Sequence, residues 1–440
     1  MRNLILNTDS YKASHSAFYP RNSTGQFGYI EARAIGKLVV PFGLQMFIKE
    51  YLMTPITQRD IDEAEDVLTT HGLGFANKKG WERILAEYGG FLPITIKGVP
   101  EGTVSYSREP IVTIETNDAE LFWLTSYIET ALQRAIWYPT TVASNDYRRY
   151  QQVLAMYKET SGLPESAADF ALHDFGSRGV SSAETAAIGG VAHLVNFKGT
   201  DNLAGLLAAR KYYNCKMAGF SIPATEHSVQ CAYGDANQIG YINRVLCETP
   251  VGGVVSIVLD GYDIFRDVEL LCSKFKEVII ENKLRVVIRP DSGEPLEVIP
   301  KLLSIADSHF GSKINNKGYS VINNISILQG DGIDNIVMYA IMREVRSLRY
   351  SAEMVIYGSG GNLLQRVNRD DFSFAQKTSA MCIDGEWVDT IKKPITDRSK
   401  TSKGGRFESL DLVTFYENGK LLIDDSLDMI RARIRSNFAN

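Results

Sequence analysis

The chain has 440 residues, a formal net charge of −5 at pH 7, 44% hydrophobic residues and 22% charged residues. This length indicates about two to three domains with a sizeable core, and the composition is that of an ordinary globular protein. The acidic balance, without a basic tail, excludes general nucleic-acid binding, so a few local arginines and lysines must hold any anionic ligand.

The cysteines and the N-terminus indicate where the protein works. The five cysteines are scattered, at Cys215, Cys231, Cys247, Cys272 and Cys382, and none forms a C-x-x-C pair. This excludes a zinc knuckle and a redox pair, and an odd number without a framework favours a reducing compartment. The start of the chain is too short and too polar for a signal peptide, and no apolar run approaches the roughly 20 residues of a membrane helix. We expect a cytoplasmic protein without a membrane partner.

The N-terminal third does not follow a strand–helix repeat. Residues 1–27 mix polar and aromatic side chains, 28–33 indicate a strand, and 42–53 and 59–71 indicate helices. Residues 92–116 alternate apolar and polar side chains between prolines and glycines, which predicts an antiparallel sheet. Residues 119–137 and 144–161 have the period of long helices.

From residue 165 to 365 the pattern is strand, turn and helix, repeated. Seven apolar segments each precede a polar or glycine-rich turn: 170–172, 194–197, 220–223, 254–258, 284–288, 325–328 and 354–357. Their spacing leaves room for one crossover helix each, which predicts a parallel (β/α) barrel, with a doubly wound open sheet as the alternative.

After residue 369 the repeat stops. A basic, glycine-containing stretch at 391–406 precedes a hairpin pattern around Glu417, Asn418 and Gly419, and 426–437 indicate a last helix. We therefore predict two domains of α/β type. Residues 1–145 with 385–440 form a discontinuous antiparallel-sheet α+β domain, and 146–384 form an irregular barrel-like domain.

The predicted strand ends carry acids and glycines. The acids are Asp174, Asp201, Asp260, Asp291 and Asp331, and the glycines are Gly176, Gly199, Gly330, Gly358, Gly360 and Gly361. Capping of the next helix explains any single acid, but five at matched positions favour a cluster around metal-bound phosphates. Mg²⁺ is the cation that such a cluster predicts. The turn at 358–361 lacks the spacing of a Walker A loop or a dinucleotide fingerprint.

Other side chains near these ends suit an anionic ligand with a flat ring. Arg178, Arg289 and Arg369 can bind phosphates or lie on the surface. His227 either has a structural role or takes part in the chemistry of the site. Phe175 and Tyr11 fall outside core periodicity, so they can pack in the core or offer a ring face to a ligand.

Seven stretches carry a family resemblance: TDSYK (8–12), LHDFGSRGVSS (172–182), HLVNFKGTD (193–201), PATEHS (223–228), IRPDSG (288–293), QGDGID (329–334) and GSGGNLLQ (358–365). Through them the chain resembles the nicotinamide phosphoribosyltransferases, type II enzymes of the nicotinate/nicotinamide phosphoribosyltransferase family. The resemblance implies transfer of the phosphoribosyl group from phosphoribosyl pyrophosphate to nicotinamide, with Mg²⁺. It also implies a homodimer with shared sites, and stimulation by ATP through phosphorylation of His227.

The resemblance also implies roles for residues. Nicotinamide stacks between Phe175 and Tyr11 of a second copy, and Asp201 accepts a hydrogen bond from the carboxamide. Catalytic roles fall to His227, Asp201, Asp291 and Arg289. Further substrate contacts fall to Arg178, Ser221, Ser256, Asp260, Gly330, Asp331, Gly360 and Gly361. Cations that meet phosphates, partly across the dimer, are Arg33, Arg369, Lys377, Lys392 and Lys400. No metal ligand is implied.

Three alternatives remain. A nicotinate phosphoribosyltransferase shares the architecture, although a carboxylate at Asp201 repels the acid. An aldolase-type barrel needs a Schiff-base lysine, for which Lys198 is the candidate. A noncatalytic nucleotide-binding protein is the third. The chain departs from the family pattern at Ser177, where we expect tyrosine, at Gly261, where we expect serine, and in a shorter connection after Arg33.

Overall fold

A computed structural model describes residues 3–407 and 412–438, and the chain divides into two compact units. The sheet unit comprises Met1–Ser144, Ala209–Cys215 and Asn368–Asn440. The barrel unit comprises Asn145–Ala208 and Lys216–Val367.

The strands of the described residues are two to ten residues long. In chain order they are β1 (Ser23–Ala32), β2 (Leu38–Val39), β3 (Ile94–Gly98), β4 (Ser105–Tyr106), β5 (Pro110–Thr116), β6 (Leu172–Asp174), β7 (Gly199–Thr200), β8 (Val254–Val258), β9 (Arg285–Arg289), β10 (Ser312–Ile314), β11 (Ser320–Ile322), β12 (Ile325–Gln329), β13 (Val355–Ser359), β14 (Phe374–Ile383), β15 (Glu386–Asp389), β16 (Val413–Glu417) and β17 (Lys420–Leu421).

The α-helices follow the same order. They are α1 (Lys12–His15), α2 (Leu44–Phe47), α3 (Gln58–Thr70), α4 (Lys78–Tyr88), α5 (Leu124–Tyr127), α6 (Glu129–Thr160), α7 (Ala183–His193), α8 (Leu203–Tyr213), α9 (His227–Tyr233), α10 (Gln238–Glu248), α11 (Ile264–Lys274), α12 (Lys276–Glu281), α13 (Pro295–Phe310), α14 (Asn335–Ser347), α15 (Gly361–Leu364) and α16 (Leu427–Arg435).

The sheet unit is built on an antiparallel sheet in the order β15-β14-β1-β5-β3-β16-β17. Its core contains Trp81, Trp123 and Tyr127, whose rings meet edge to face at 5.1–5.4 Å. Because β14 pairs with β1 from Ser23↔Ile383 to Ala32↔Phe374, residues 368–384 belong to this unit. The boundary that we expected after residue 384 is therefore too late, although the sheet does combine strands from both ends of the chain, as predicted.

A short excursion, Ala209–Cys215, also belongs to the sheet unit and was not predicted. The ring of Tyr213 stacks on Phe42 with centroids 4.9 Å apart, and both rings are buried. This contact is between residues 171 positions apart in the chain, which local patterns cannot reveal.

The barrel unit contains a parallel sheet in the order β7-β6-β13-β12-β9-β8, which confirms the predicted irregular barrel. Each strand is followed by helix, and the strands are buried on both faces, as parallel strands require. Between the edge strands β7 and β8 runs an irregular segment. It forms parallel bridges at Gly199↔Phe220 and Ala224↔Ser256, which link the two edges.

Three local predictions are wrong. Residues 220–223 form no strand, only an isolated bridge at Phe220. Residues 194–196 form a turn rather than a strand, because α7 runs to His193 and Leu194 is its helical C-cap; the strand is Gly199–Thr200. The two long helices expected at 119–137 and 144–161 are largely one helix, α6, which contains Pro139. In the part of the chain that the structure describes, no helix has the length and apolarity needed to cross a membrane.

The turn after α4 gives a stability prediction. Gly89 and Gly90 both have positive φ, at +61° and +85°, but a Cβ on Gly90 would lie 2.3 Å from the Ile56 carbonyl oxygen, whereas a Cβ on Gly89 meets open space. Gly90→Ala is expected to lower the free energy of unfolding by about 3 kcal/mol or more, and Gly89→Ala by about 1 kcal/mol. Urea unfolding measures both, and equal losses would contradict the steric argument.

Candidate active site

The carboxyl ends of the parallel strands surround a cleft of about 760 Å³. Seven residues predicted from the sequence line this cleft: Asp174, Phe175, Arg178, Asp201, His227, Arg289 and Asp291. Ser177, Ala224, Thr225, Glu226 and Ser228 complete the lining. We call this space the mouth cleft.

Two backbone hydrogen bonds hold three strand ends level at this cleft. Phe175 N donates to Ser359 O, and Asp201 N donates to Asp174 O, both at 3.0 Å. They extend the parallel pairing Ser359↔Asp174↔Thr200 by one step beyond the strands. The side chains of Phe175 and Asp201 therefore leave neighbouring strand ends at the same edge of the sheet.

A small recess lies inside the barrel and shares Phe175, Asp201 and Arg289 with the mouth cleft. The predicted residues Ser221 and Ser256 line it. Ser221 Oγ donates to Asp201 Oδ1, which leaves Oδ2 of that carboxylate for a ligand. Ser256 is fully buried, and its hydroxyl has no hydrogen-bond partner among the described residues. A buried donor without a partner is costly, so a polar ligand group in the recess would be stabilised.

The ring of Phe175 lies against glycine backbone. A Cβ on Gly358 would come within 2.0 Å of its Cε2, and a Cβ on Gly330 within 3.5 Å. The guanidinium carbon of Arg289 lies 5.4 Å from the centre of the ring. Glycine at 358 is thus a condition for the ring to occupy this position.

His227 belongs to a network of acids at the cleft. Its Nε2 lies 2.9 Å from Asp260 Oδ1, so the carboxylate fixes the proton on Nε2. Its Nδ1 is 4.0 Å from Asp291 Oδ2. Asp260 Oδ2 accepts from Asp291 N at 2.9 Å and from Ser292 Oγ at 2.6 Å. Asp260 therefore holds His227 and the turn at 291–292 through both carboxylate oxygens, and its predicted substrate contact stays a prediction.

Arg289 and Asp291 form the cationic and anionic sides of the same network. Arg289 Nη2 donates to Asp291 Oδ1 at 3.2 Å, while Arg289 Nε is buried without a partner among the described residues. A Cβ on Gly330 would lie 3.2 Å from Asp291 Oδ1. This places three predicted residues together, with a guanidinium that keeps donors for a phosphate.

Two titratable side chains, those of His173 and Asp174, are buried at the cleft. Burial lowers the pKa of His173 to about 4 against the opposing charge of Asp201, so this ring is neutral at pH 7. Burial raises the pKa of Asp174, although His193, Asn202 and the Gly176 amide counteract it. Asp174 accepts from Gly176 N at 2.7 Å and from Asn202 Nδ2 at 2.9 Å, so it caps the turn rather than facing a ligand.

His193, fully buried below β7, carries a charge. Its Nδ1 lies 2.7 Å from Asp146 Oδ2 and its Nε2 lies 3.0 Å from Gly199 O. Both partners are acceptors, so both ring nitrogens donate and the ring is an imidazolium. Burial lowers the pKa of His193, but the charge and hydrogen bond of Asp146, with Asp174 and the Gly199 carbonyl, outweigh it and the pKa is raised. His193 thereby anchors the strand that ends at Asp201.

The remaining predicted residues of the barrel unit lie outside these contacts. Asp331 is exposed, and Gly360 precedes the short helix α15. Gly361 N would lie 3.4 Å from a Cβ on Gly179, next to the turn that carries Arg178. Lys198 Nζ pairs with Asp169 at 2.9 Å and does not line the mouth cleft, which removes the support for a Schiff-base lysine.

In the sheet unit the predicted cations lie near one another. Burial lowers the pKa of Lys377. The positive charges of Arg33, Lys392 and Arg369 lower this pKa further, whereas the negative charge of Glu129 raises it. Arg33 Nε donates to Ser373 O at 3.0 Å. These like charges repel one another, so the arrangement favours bound anions.

Two more predicted residues of the sheet unit are exposed. Tyr11 is 54% exposed, so its ring has a face for a ligand or a partner. Lys400 Nζ pairs with Asp397 at 3.3 Å. Its role as a phosphate contact stays a prediction.

The donor set of the mouth cleft suits a cation that phosphates help to hold. Among the described residues, no group of three His, Cys, Asp or Glu side chains is arranged to hold a metal ion by itself. Asp291 keeps acceptor capacity beside the cleft, which fits Mg²⁺ bound through one carboxylate, waters and substrate phosphates.

Sequence reasoning missed the supporting residues. Asp146 and Asn202 are buried partners of the site at positions without a local signal. His173 lies in a recognised stretch, but no role was assigned to it. His193 was inside a recognised stretch, but its pairing with Asp146 joins residues 47 positions apart.

Arginines, acids and an aromatic ring therefore lie together at the strand ends of the barrel, an arrangement that suits an anionic ligand. Comparison with known proteins gives the family. The sequence profile of the nicotinate phosphoribosyltransferase (NAPRTase) family matches residues 170–429, and that of the nicotinamide phosphoribosyltransferase N-terminal domain matches residues 3–96.

Individual relatives cover nearly the whole chain. A nicotinamide phosphoribosyltransferase of Xanthomonas campestris is 43% identical, over 98% of this chain and 97% of its own length. One of Acinetobacter baylyi is 30% identical, over 97% and 96%. The crystal structure of human nicotinic acid phosphoribosyltransferase shares the fold, with a TM-score of 0.59 at 16% identity over 98% of this chain and 93% of that one. The chain belongs to the nicotinate phosphoribosyltransferase family.

The buried imidazolium gives a pH prediction. A raised pKa in the folded state means that the stabilising contribution of His193 is fully present below pH 6.5 and is lost as the pH rises through the folded-state pKa. The free energy of unfolding of the wild type should therefore be higher than that of His193→Gln. The difference should be largest below pH 6.5 and should shrink at higher pH. Urea unfolding from pH 5.5 to 9 measures this, with His71→Gln, at an exposed ring, as control. A difference that does not change with pH would refute the imidazolium.

Proposed function

We propose that this protein transfers the 5-phosphoribosyl group from phosphoribosyl pyrophosphate to nicotinamide, forming nicotinamide mononucleotide and pyrophosphate in NAD salvage. The observation that carries the proposal is the Asp201 carboxylate, which keeps one oxygen free beside the ring of Phe175. The relatives named nicotinamide phosphoribosyltransferase, at 43% and 30% identity, support the same activity.

The pyridine ring occupies the end of the cleft nearest to Phe175. Its carboxamide NH₂ donates to Asp201 Oδ2, since Ser221 already occupies Oδ1. The buried hydroxyl of Ser256, which lacks a partner in the described structure, donates to the carboxamide oxygen. Nicotinate offers only acceptors and a negative charge to Asp201, so the site favours the amide.

Arg289 and Arg178 line the cleft and meet the negative charge of the sugar phosphates, with Asp291 beside them. Gly330 permits close approach of the ligand to these groups, and Asp331, Gly360 and Gly361 hold the ribose and its 5′-phosphate through side-chain and backbone contacts. The pyridine nitrogen has no proton to lose, so the protein needs no general base for its attack on the anomeric carbon.

Catalysis is mainly electrostatic and positional. As the bond from the anomeric carbon to pyrophosphate breaks, positive charge develops on the ribose and negative charge on the leaving group. Arg289 stabilises the leaving group, and Asp201 with Phe175 holds the ring nitrogen in line. Bound Mg²⁺, held at Asp291 through water and phosphate oxygens, would neutralise further charge on the pyrophosphate.

ATP stimulation through His227 is a further part of the proposal. Asp260 accepts a hydrogen bond from Nε2, so Nδ1 is the nitrogen that attacks the γ-phosphate of ATP. The bond from the γ-phosphorus to the bridging oxygen breaks, and ADP leaves. The nearby Arg289 would then pair with the phosphohistidine.

The cations of the sheet unit, with Tyr11, complete the site from a second copy of the chain. Arg33, Lys377, Lys392 and Arg369 lie close enough together that their charges disfavour one another, and phosphates relieve this repulsion. Lys400 and the exposed ring of Tyr11 join them in this proposal. We propose the cytoplasm as the location, on the basis of the scattered cysteines.

Direct assay tests the function. The purified protein is incubated with phosphoribosyl pyrophosphate, Mg²⁺ and either nicotinamide or nicotinate, with and without ATP. Nicotinamide mononucleotide and an equal amount of pyrophosphate are expected, with nicotinamide much preferred. A preference for nicotinate would identify the protein as a nicotinate phosphoribosyltransferase instead. If no pyrophosphate is released, the protein is a noncatalytic nucleotide-binding protein.

Asp201→Asn tests the choice between amide and acid. Replacing the carboxylate by a neutral amide removes the repulsion of nicotinate, so the ratio of kcat/KM for nicotinamide to that for nicotinate should fall about tenfold or more. Asp235→Asn, which removes an exposed carboxylate paired with Arg266, is the control. An unchanged ratio would remove Asp201 from the recognition of the ring.

His227→Ala tests the ATP effect. The variant should lose stimulation by ATP and phosphate incorporation from ATP, while synthesis without ATP stays measurable. His309→Ala, at a ring that bonds Glu269, is the control for loss of an imidazole. Stimulation that survives in His227→Ala would place the phosphoryl acceptor elsewhere.

Mixed dimers test the shared site. Tyr11→Ala and Phe175→Ala chains should each be nearly inactive alone. After unfolding and refolding together, random pairing restores one intact composite site in half of the dimers, so about one quarter of wild-type activity returns. No recovery despite proven mixed dimers would show that both rings act within one chain.

A further inference from the structure

The barrel unit has a second cleft, of about 350 Å³, which shares no lining residue with the mouth cleft. Three arginines and three asparagines line it: Asn145, Arg148, Arg149, Asn335, Asn362 and Arg366. We call it the arginine cleft. It lies between α6, the start of α14 and the residues that follow α15.

The lining of this cleft has more positive than negative side chains. Arg148 and Arg366 are exposed, and among the described residues neither forms an ion pair. Arg149 is buried and donates through Nη1 to Asp146 at 2.7 Å, so its charge is partly balanced. Three guanidinium groups at one cleft, in a chain of net charge −5, are stabilised when an anion sits between them.

The one acid at the cleft is already occupied. Asp334 Oδ1 accepts from Ile336 N at 2.8 Å and from Val337 N at 2.9 Å, as the N-cap of α14. It therefore caps α14, and among the described residues it forms no ion pair with Arg148 or Arg366. The positive side of the cleft stays available to a ligand.

The cleft also contains a buried polar atom without a hydrogen-bond partner among the described residues. Asn335 Oδ1 is buried and has no hydrogen-bond partner among the described residues. An amide oxygen only accepts, so Asn335 Oδ1 can bond a hydroxyl group of a ligand. Asn362 holds the wall in place, because its Nδ2 donates to Ile333 O at 3.2 Å.

Size and apolar lining favour a phosphate ester over a bare ion. A volume of about 350 Å³ lies within the range of small-molecule pockets, and Ile336, 78% exposed, and Val367 line the same space. Arginines suit the phosphate by paired hydrogen bonds, and the aliphatic side chains suit the attached organic group.

We propose that the arginine cleft is a second ligand site, which binds the phosphate group of a small phosphorylated metabolite between Arg148 and Arg366. The phosphate accepts hydrogen bonds from both guanidinium groups, Arg149 adds positive potential from below, and Asn335 bonds the ester portion. The site is separate from the proposed transferase chemistry and does not depend on it.

Crystals of the full chain soaked with tungstate, a phosphate-shaped anion, locate the site by anomalous scattering. A peak between Arg148 and Arg366 is expected in wild type and in Arg343→Gln, which removes an exposed arginine of α14 outside the cleft. The peak should be absent in Arg148→Gln/Arg366→Gln. The proposal is overturned if the wild type shows no peak in the cleft, or if the peak is unchanged in the double variant. It is also overturned if acidic side chains of a second copy of the chain fill the cleft.

Calorimetric titration with inorganic phosphate and with ribose 5-phosphate separates the two sources of the phosphate group. The double variant should weaken ribose 5-phosphate binding about tenfold or more at one of two sites per chain, with an unchanged melting temperature. Tighter binding of inorganic phosphate than of the ester would overturn the ester proposal, and an equal number of sites in wild type and double variant would overturn the second site.

Discussion

The functional site depends on two backbone hydrogen bonds at the ends of the parallel strands. Phe175 N bonds Ser359 O and Asp201 N bonds Asp174 O, so three strand ends stop at the same level. A shift of one residue in either pairing would turn Phe175 or Asp201 to the other face of its strand. The aromatic ring and the carboxylate can share one cleft because the backbone fixes this register.

Buried charges support that register from below. The imidazolium of His193 bonds Asp146 on α6 and the carbonyl of Gly199 on β7, two residues before Asp201. Asp146 also pairs with Arg149, which lines the arginine cleft. One continuous set of hydrogen bonds therefore connects the strand end of the mouth cleft to the wall of the second cleft. Such a network is expensive to break, because each member leaves a buried charge behind.

The sequence revealed those parts of the site that local chemistry marks. Acids, glycines and arginines after apolar strands predicted the mouth cleft, because parallel strands bring their carboxyl ends to one edge. It could not reveal the pairing of His193 with Asp146 or of β14 with β1, since these contacts join distant residues. The domain boundary near residue 368 was missed for that reason. A strand was wrongly predicted at 194–197, because an apolar run fits a buried turn equally well.

The central claim is that the pyridine ring lies on Phe175 with its carboxamide on Asp201, next to a phosphoribosyl group held by Arg289. The structure of the protein with nicotinamide mononucleotide bound tests this most directly. The account predicts the ring stacked on Phe175, the amide nitrogen within hydrogen-bond distance of Asp201 Oδ2, and the ribose phosphate turned towards Gly360 and Gly361. A nucleotide bound elsewhere, or with its carboxamide turned away from Asp201, would contradict it.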